Sequence, residues 1–173
     1  MEKEVTGARH RFGILGGGQL GRMLIQEAIS YDIHVHTMDG SSTDPSASVA
    51  TSHTVGDIRN YDDVIQFGKD KDVISVEIEN VNVDALKELE SKGVKVFPQP
   101  RVLEIIKDKG IQKQFYLDND IPTSAFELTT EDTATSYYES KIPFVHKLRT
   151  GGYDGRGVEP VSYTHLRAHE TAS

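Results

Sequence analysis

A short apolar segment near the start of the chain runs directly into a glycine-rich turn. Residues 12–15 read Phe-Gly-Ile-Leu, and Gly-Gly-Gly-Gln-Leu-Gly follows at 16–21. Apolar residues then recur at helical spacing as far as Ile29, which predicts a helix that begins inside the glycine segment. A strand, a tight turn and a helix in this order bring backbone N–H groups and a helix N-terminus to one place, where they favour an anion.

Strands and helices continue to alternate as far as Pro100. The pattern predicts strands at 33–38, 49–55, 73–79 and 94–97, and helices at 62–68 and 83–92. Alternation of this kind implies an α/β fold, a mainly parallel sheet with helices on both faces. We therefore expect a Rossmann-like domain over residues 12–100, preceded by a polar lead-in at residues 1–11.

The pattern changes from Arg101 onward. It predicts one long or broken helix over 102–119, interrupted at Gly110, then a brief strand at 126–128 and a helix at 130–140. A strand from Phe144 leads to a second glycine-rich loop. Because this region has too few strands to complete a domain, we expect residues 101–160 to be the beginning of a larger, truncated one.

The last residues, 161–173, have neither helical nor strand periodicity. They resemble one reading frame of a sequencing adapter, and we expect a non-native tail. The alternatives are a genuine tail, or a metal-binding segment that uses His165 and His169, which are four residues apart.

Composition excludes several classes of function. A formal net charge of −8, with no dense cluster of Lys and Arg, argues against nucleic-acid binding. The chain has no cysteine, so disulfides, thiolate metal sites and a cysteine nucleophile are excluded. No apolar run approaches membrane-spanning length. We expect a soluble, cytoplasmic protein with no membrane partner.

The second glycine-rich loop follows a lysine. Lys147 ends the strand that starts at Phe144, and four glycines follow at 151, 152, 155 and 157. Glycines let the backbone approach a ligand closely, and a lysine adds a point charge for the same anion. One interpretation is a flap over nucleotide phosphates. The other is a β-hairpin whose Tyr-Asp-Gly-Arg sequence only makes a turn.

The first glycine segment does not by itself identify the ligand that would bind there. With Asp39 near the end of the next strand, it satisfies the nominal dinucleotide-binding pattern. A phosphorylated substrate or tight packing of strand on helix would use the same glycines. Glu77 and Glu79 lie at alternate positions near the end of a central strand, where ligands bind in open α/β sheets. They could bind a polar substrate or lie on a solvated face.

Five segments in this order resemble the 5-(carboxyamino)imidazole ribonucleotide synthase family, the ATP-grasp ligases of purine biosynthesis. They are Gly-Gly-Gly-Gln-Leu-Gly-Arg-Met at 16–23, Glu-Ile-Glu-Asn at 77–80, Asp-Lys-Gly-Ile-Gln-Lys at 108–113, Ile-Pro-Thr at 121–123, and Lys-Leu-Arg-Thr-Gly-Gly-Tyr-Asp-Gly-Arg-Gly at 147–157. The resemblance runs from about Phe12 to Pro160. Val158 departs from it, because relatives often have glutamine there.

The resemblance implies a fold and a reaction. The fold is a pre-ATP-grasp domain followed by the start of an ATP-grasp domain. In the reaction, ATP phosphorylates bicarbonate to carboxyphosphate, and the amine of aminoimidazole ribonucleotide captures the activated carbon dioxide. Mg²⁺ would assist, but its ligands are expected outside this chain, so no residue is a metal ligand here. The family implies a homodimer, and we expect the chain by itself to be inactive.

The resemblance also implies roles for individual residues. Those for ATP are Lys109, Lys147, Gly151, Gly152, Tyr153, Asp154, Gly155, Arg156 and Gly157, of which Lys147, Tyr153 and Arg156 would also serve catalysis. Those for the ribonucleotide are Gly18, Gln19 and Leu20 for its phosphate, and Glu77 or Glu79 for the aminoimidazole. Two alternatives remain: an NAD(P)-dependent oxidoreductase that uses residues 16–21 and Asp39, and a non-catalytic nucleotide-binding module.

Overall fold

The computed structural model describes residues 10–129, 135–152 and 156–162. The chain divides into two compact units between Glu104 and Ile105. In order, the elements of the first unit are β1 (Phe12–Leu15), α1 (Gln19–Ile29), β2 (Val35–Asp39), β3 (Ser52–Val55), α2 (Tyr61–Gly68), β4 (Val73–Val76), α3 (Val83–Ser91) and β5 (Lys95–Phe97). Helix α4 (Pro100–Lys107) follows and crosses the division.

The first unit is built on one five-stranded sheet in the order β3-β2-β1-β4-β5. Every neighbouring pair of its strands is parallel. The chain builds the sheet outward from β1 through β2 to β3, and then returns to the other side of β1 to add β4 and β5. The predicted α/β fold with a parallel sheet is confirmed, and its direction of growth reverses between β1 and β4.

Helices cover both faces of this sheet. Ile14 of β1 is buried in a cluster with Ile25 and Ala28 of α1. The neighbouring Gly13 points to the opposite face, where a Cβ atom would lie 3.0 Å from the Phe67 ring of α2. Helix α1 therefore packs on one face of the sheet and α2 on the other, so the apolar strands are shielded on both sides.

Side-chain caps begin two of these helices. Asn60 accepts a hydrogen bond from the Asp63 nitrogen at the start of α2 (3.1 Å), and Asn82 accepts one from the Ala85 nitrogen at the start of α3 (2.9 Å). Helix α1 differs, because its N-cap residue is Gly18 and no side chain of its own segment caps it. Its first N–H groups need an acceptor from elsewhere in the fold.

Several predicted boundaries are wrong by a few residues. Strand β2 starts at Val35 rather than at residue 33, because the chain is still leaving α1 there. Asp32 has φ of +54°, and the Ile33 nitrogen bonds back to the Ala28 carbonyl (3.1 Å). Strand β4 ends at Val76, so both Glu77 and Glu79 follow the strand rather than lie on it.

The second unit contains α5 (Lys109–Asp118), α6 (Thr135–Glu139), β6 (Phe144–Lys147) and β7 (Val158–Val161). The predicted helix over 102–119 is broken at Asp108 rather than at Gly110. The Asp108 carboxylate caps α5, since its Oδ1 accepts hydrogen bonds from the nitrogens of Gly110 (2.7 Å) and Ile111 (3.1 Å). A cap residue leaves helical backbone angles, and this one therefore sets the break.

Strands β6 and β7 form an antiparallel pair in which Phe144 lies opposite Val161, and Lys147 opposite Val158. Strand β7 was not predicted, and the strand predicted at 126–128 is wrong because those residues have no regular structure. Other predictions lie outside the described residues: most of the lead-in, the start of the helix at 130–140, part of the second glycine loop, and the tail beyond Ser162.

No helix in the described part of the chain combines the length and the apolar character needed to cross a membrane.

Candidate functional site

The first glycine loop holds a carboxylate. Glu77, which follows β4, reaches into the turn between β1 and α1, where its Oε2 accepts a hydrogen bond from the Gly18 nitrogen (2.6 Å). Its Oε1 accepts another from the Leu20 nitrogen (3.0 Å). The acceptor that α1 lacks in its own segment is therefore supplied by a residue 59 positions after Gly18. A negative charge at this helix N-terminus is also favoured by the helix dipole.

The spacing of the glycines follows from this carboxylate. A Cβ atom on Gly16, whose φ is +121°, would lie 2.5 Å from the Glu77 Cβ. One on Gly18 would lie 2.6 Å from Glu77 Oε1, and one on Gly21 would lie 3.2 Å from its Oε2. All three positions of the Gly-x-Gly-x-x-Gly pattern thus face Glu77, and any side chain at the first two would displace it.

A second carboxylate holds the other side of the loop. Asp39, at the end of β2, accepts a hydrogen bond from the Gly17 nitrogen through Oδ2 (2.7 Å) and one from the Gly40 nitrogen through Oδ1 (2.7 Å). In the dinucleotide interpretation, an acid at this position would bind a ribose. Here each oxygen of Asp39 already accepts a backbone N–H, which indicates a role in fixing the loop.

The loop lies at the switch point of the sheet. It follows β1, and Glu77 follows β4, the two strands between which the order of the sheet reverses. Ligands of open α/β sheets bind in the crevice at that point. Of the residues predicted to bind the ribonucleotide phosphate, Gly18 and Leu20 give their N–H groups to Glu77. The Gln19 N–H between them has no protein acceptor within the described residues.

A cleft of about 510 Å³ adjoins this loop at the ends of β2, β3 and β4. Two carboxylates, an arginine and an amide give it a polar lining. Its residues are Asp39, Gly40, Val55, Gly56, Asp57, Ile58, Arg59 and Asn80. Arg59 is held by a two-contact ion pair with Asp57, with nitrogen–oxygen distances of 2.9 and 3.1 Å. Of the two predicted glutamates, Glu77 accepts hydrogen bonds from the glycine loop, whereas the Glu79 side chain has none to it among the described residues.

The second glycine loop closes a hairpin. The Leu148 nitrogen bonds to the Gly157 carbonyl (2.8 Å), which extends the β6–β7 pairing by one step. Gly151 and Gly157 have φ of +75° and +71°, and a Cβ on Gly152 would lie 2.6 Å from the Arg156 carbonyl oxygen. These glycines are required by the backbone path itself. The described part of this segment forms a hairpin, but most of its Tyr-Asp-Gly-Arg sequence lies outside the described residues, so the flap and the simple turn both stay predictions.

Lys147 and Lys109, both predicted to bind ATP, lie on segments that are joined by a backbone hydrogen bond. The Lys109 nitrogen donates a hydrogen bond to the carbonyl of Arg149, two residues after Lys147 (2.8 Å). Both lysine side chains are exposed, and neither ammonium has an ion-pair partner within the described ranges. Arg156 is exposed too, while Tyr153, Asp154 and Gly155 lie outside those ranges.

An ion pair that the sequence did not reveal fastens these segments. The Arg149 guanidinium donates to both oxygens of Asp108, from Nε to Oδ1 (3.1 Å) and from Nη2 to Oδ2 (2.7 Å). Arg149 is the main reason why the pKa of Asp108 is lowered, and the N–H groups of Ile111 and Gly110 lower it further. The capping position of Asp108 could have been read from the sequence, but its partner lies 41 residues away.

No metal site is formed by the described residues. Residues 10–129, 135–152 and 156–162 bring together no group of three His, Cys, Asp or Glu side chains that could hold an ion. The described residues therefore do not provide a Mg²⁺ site.

Comparison with known proteins gives one family. A family described as ribonucleotide synthetase preATP-grasp domain matches residues 10–107. The chain is 36% identical over 152 residues to the phosphoribosylaminoimidazole carboxylase of Candida albicans, covering 84% of this chain and 27% of that protein.

Two solved structures are also similar. N5-carboxyaminoimidazole ribonucleotide synthetase from Thermotoga maritima has 33% identity and a TM-score of 0.79, covering 88% of this chain and 41% of the other. N5-carboxyaminoimidazole synthase from Aspergillus clavatus, in complex with ADP and 5-aminoimidazole ribonucleotide, has 29% identity and a TM-score of 0.78, covering 93% and 43%. The chain thus spans between about a quarter and two fifths of the length of these relatives.

Proposed function

Because this chain belongs to the ribonucleotide synthetase preATP-grasp family, we propose that it is part of an ATP-grasp ligase that carboxylates 5-aminoimidazole ribonucleotide. ATP and bicarbonate are the co-substrates, and N5-carboxyaminoimidazole ribonucleotide, an intermediate of purine biosynthesis, is the product. The Thermotoga maritima relative carries the name of this synthetase, and the Aspergillus clavatus relative was solved with ADP and the ribonucleotide. A cytoplasmic homodimer belongs to the same proposal, since the family implies one.

The observation that carries the proposal is the hairpin in the second unit. The first glycine of its loop, Gly151, follows Lys147 by four residues, and its base is bonded to the first residue of α5, Lys109. A lysine on each of two joined segments, beside a loop of closely approachable backbone, suits a chain of phosphates. We assign Lys109, Lys147 and the glycines at 151, 152 and 157 to ATP.

The first unit supports a role in binding the ribonucleotide. Its polar cleft and the glycine loop lie at the carboxyl ends of the strands, where small molecules bind in this class of fold. The Gln19 N–H is available at the start of α1, and Asn80 lines the cleft. We propose that the ribonucleotide binds here, with Glu79 closer to the ligand and Glu77 holding the loop in shape.

The chemistry requires little of the protein beyond position and charge. ATP transfers its γ-phosphoryl group to an oxygen of bicarbonate, which gives carboxyphosphate and ADP. Loss of phosphate frees carbon dioxide, and the exocyclic amine of the ribonucleotide attacks its carbon and then releases a proton. Two ammonium groups offset the charge of the phosphates, and a glycine loop that folds over them would exclude water from an unstable intermediate. Tyr153 and Arg156 are proposed to act on the substrate side of that loop.

Equilibrium dialysis of the chain against ATP and magnesium chloride tests the nucleotide site. Lys147→Gln should weaken ATP binding about tenfold or more, because it removes one of two charges offered to the phosphates. Lys69→Gln is the matched control, since Lys69 is an exposed lysine at the end of α2 that bonds to Gln66 (2.7 Å). Equal affinity in the wild type and in Lys147→Gln would contradict the assignment.

The substrate is tested separately by titration with 5-aminoimidazole ribonucleotide. Binding should be lost in Glu79→Ala and in a variant that blocks the cleft, Gly56→Leu, while ATP binding by these variants stays unchanged. If the ribonucleotide binds the chain but ignores both substitutions, the ligand lies elsewhere in the fold.

A further inference from the structure

The Arg149 and Asp108 side chains form a junction with more contacts than a typical ion pair on a protein surface. The guanidinium makes a two-contact ion pair with a carboxylate whose side chain is only 18% exposed. The same carboxylate caps α5 through the nitrogens of Gly110 and Ile111. Planar, two-contact pairing is the geometry that arginine provides and lysine does not, so this pair specifies orientation as well as proximity.

Two further contacts bring the same segments together. The Lys109 nitrogen donates to the Arg149 carbonyl (2.8 Å), and a Cβ on Gly110 would lie 2.8 Å from Arg149 Nε. The glycine thus leaves room for the guanidinium, and the backbone bond fixes the distance between the chains. The ion pair, the backbone hydrogen bond and the space left by Gly110 therefore hold the two segments together at the same place.

The two residues of the ion pair lie close in the sequence to the two lysines that are proposed to bind ATP. Asp108 immediately precedes Lys109, and Arg149 follows Lys147 by two residues. The ion pair therefore joins the two short segments that carry the candidate phosphate contacts. Arg149 itself has its charge balanced by Asp108, whereas Lys109 and Lys147 have no such partner in the described residues. The Arg149 charge is thus used within the protein, whereas the charges of Lys109 and Lys147 remain available for an anion.

We propose that Arg149 is a positioning residue for the nucleotide: by clamping Asp108 it holds Lys109 and Lys147 in the arrangement that binds the phosphates of ATP. This rests on the proposed function, because it requires that the hairpin bind ATP. Holding both ammonium groups before ATP arrives lowers the cost of ordering them on binding. Arg149 does not contact the phosphates, so its effect on binding depends wholly on Asp108.

A double-mutant cycle separates this role from its alternatives. Binding of ATP with magnesium chloride is measured by equilibrium dialysis for the wild type, Arg149→Gln, Asp108→Asn and the double variant. Each single substitution should weaken binding about tenfold, and the double variant no more than either, since all three break the same clamp. Arg149→Lys should recover only part of the affinity, because an ammonium cannot make the two-contact pair.

Controls distinguish positioning from general stability. Lys141→Gln breaks another exposed ion pair of the second unit, Lys141 with Glu127 (3.0 Å), and should leave ATP affinity unchanged. Far-UV circular dichroism confirms folding at the temperature of the assay. If Arg149→Gln weakens binding while Asp108→Asn does not, Arg149 binds ATP directly and the proposal is overturned. It is also overturned if all variants lower the melting temperature but bind ATP as the wild type does.

Hydrogen exchange in the same samples tests, without any ligand, whether the Arg149–Asp108 pair orders the hairpin. The amides of Lys109, Gly110 and Leu148 should exchange faster in Arg149→Gln without any ligand, because the clamp that orders them is gone. A wild-type chain that binds no ATP would refute the proposed function and with it the positioning role. The exchange rates would then still report whether the clamp orders the hairpin.

Discussion

Glu77 lies inside the glycine loop, with its Oε2 2.6 Å from the Gly18 nitrogen and its Oε1 3.0 Å from the Leu20 nitrogen. The end of β4 and the start of α1 are thereby joined by one side chain across the switch point of the sheet. A glycine loop of this type is usually discussed as a site for a ligand phosphate. In this chain a carboxylate of the protein fills it, and the loop is ordered by its own residue.

Removing that carboxylate should destabilise the first unit. We expect Glu77→Ala to lower the free energy of unfolding by about 1–2 kcal/mol, because two backbone N–H groups at the helix start lose a charged acceptor. Glu79→Ala is the control and should change it by less than about 0.5 kcal/mol. Urea denaturation followed by circular dichroism measures both, and equal effects would refute the special role of Glu77.

Gly16 should tolerate no side chain. Gly16→Ala combines φ of +121° with a Cβ 2.5 Å from the Glu77 Cβ, and we expect a loss of about 2–4 kcal/mol of unfolding free energy. Gly40→Ala serves as the control, since its Cβ would meet nothing within 4 Å, and should be nearly neutral. Thermal denaturation compares the two, and similar melting temperatures would contradict the geometry of the loop.

His36 should make the first unit sensitive to mild acid. Its pKa is lowered, first by burial and then by the nearby Lys71, and its Nδ1 lies 2.8 Å from the Ser52 hydroxyl oxygen. Because the unfolded chain takes up a proton more readily than the folded one, stability should fall as the pH drops below about 6.5 and level off below the folded pKa.

Urea midpoints measured between pH 5 and 8 test this expectation. His36→Gln should flatten the profile in that range, whereas His34→Gln, which changes an exposed histidine, should keep the wild-type slope. A wild-type slope in His36→Gln would show that another group is responsible.

Asp108 should also make stability depend on pH, at a lower pH than His36 and through a carboxyl group in place of an imidazole. Arg149 chiefly lowers the pKa of this carboxyl, so its contribution to stability is complete above the unfolded value of about 3.9 and is lost as the pH falls through the lower folded value. The difference in unfolding free energy between wild type and Asp108→Asn should therefore shrink below about pH 4. A difference that stays constant down to pH 2 would mean that the ion pair adds no stability.

The sequence predicted the parts of the structure that local chemistry determines. The alternation of apolar strands and amphipathic helices predicted the parallel sheet, and the glycines at 16–21 predicted a tight turn before α1. The predicted ends of β2 and α3, at residues 38 and 92, lie within one residue of the observed ends. These signals are contained in a few consecutive residues, and no distant partner alters them.

What the sequence did not predict depends on contacts between distant segments. Alternation placed Glu77 and Glu79 on one side of a strand, but only the folded chain shows that β4 stops at Val76 and that Glu77 turns into a loop 59 residues away. The pair of Asp108 and Arg149 has the same origin. Strand β7 was missed because its sequence, Val-Glu-Pro-Val, gains strand character only by pairing with β6.

Because the Glu77 carboxylate occupies the glycine loop, a ligand anion must compete with it for the N–H groups of the loop. Glu77 is tethered to the loop, so its effective concentration there does not fall when the protein is diluted. A free anion must displace it without such an advantage, and millimolar sulfate or phosphate should leave the loop unchanged. The loop therefore discriminates against small free anions, and a ligand that binds there must bring additional contacts of its own.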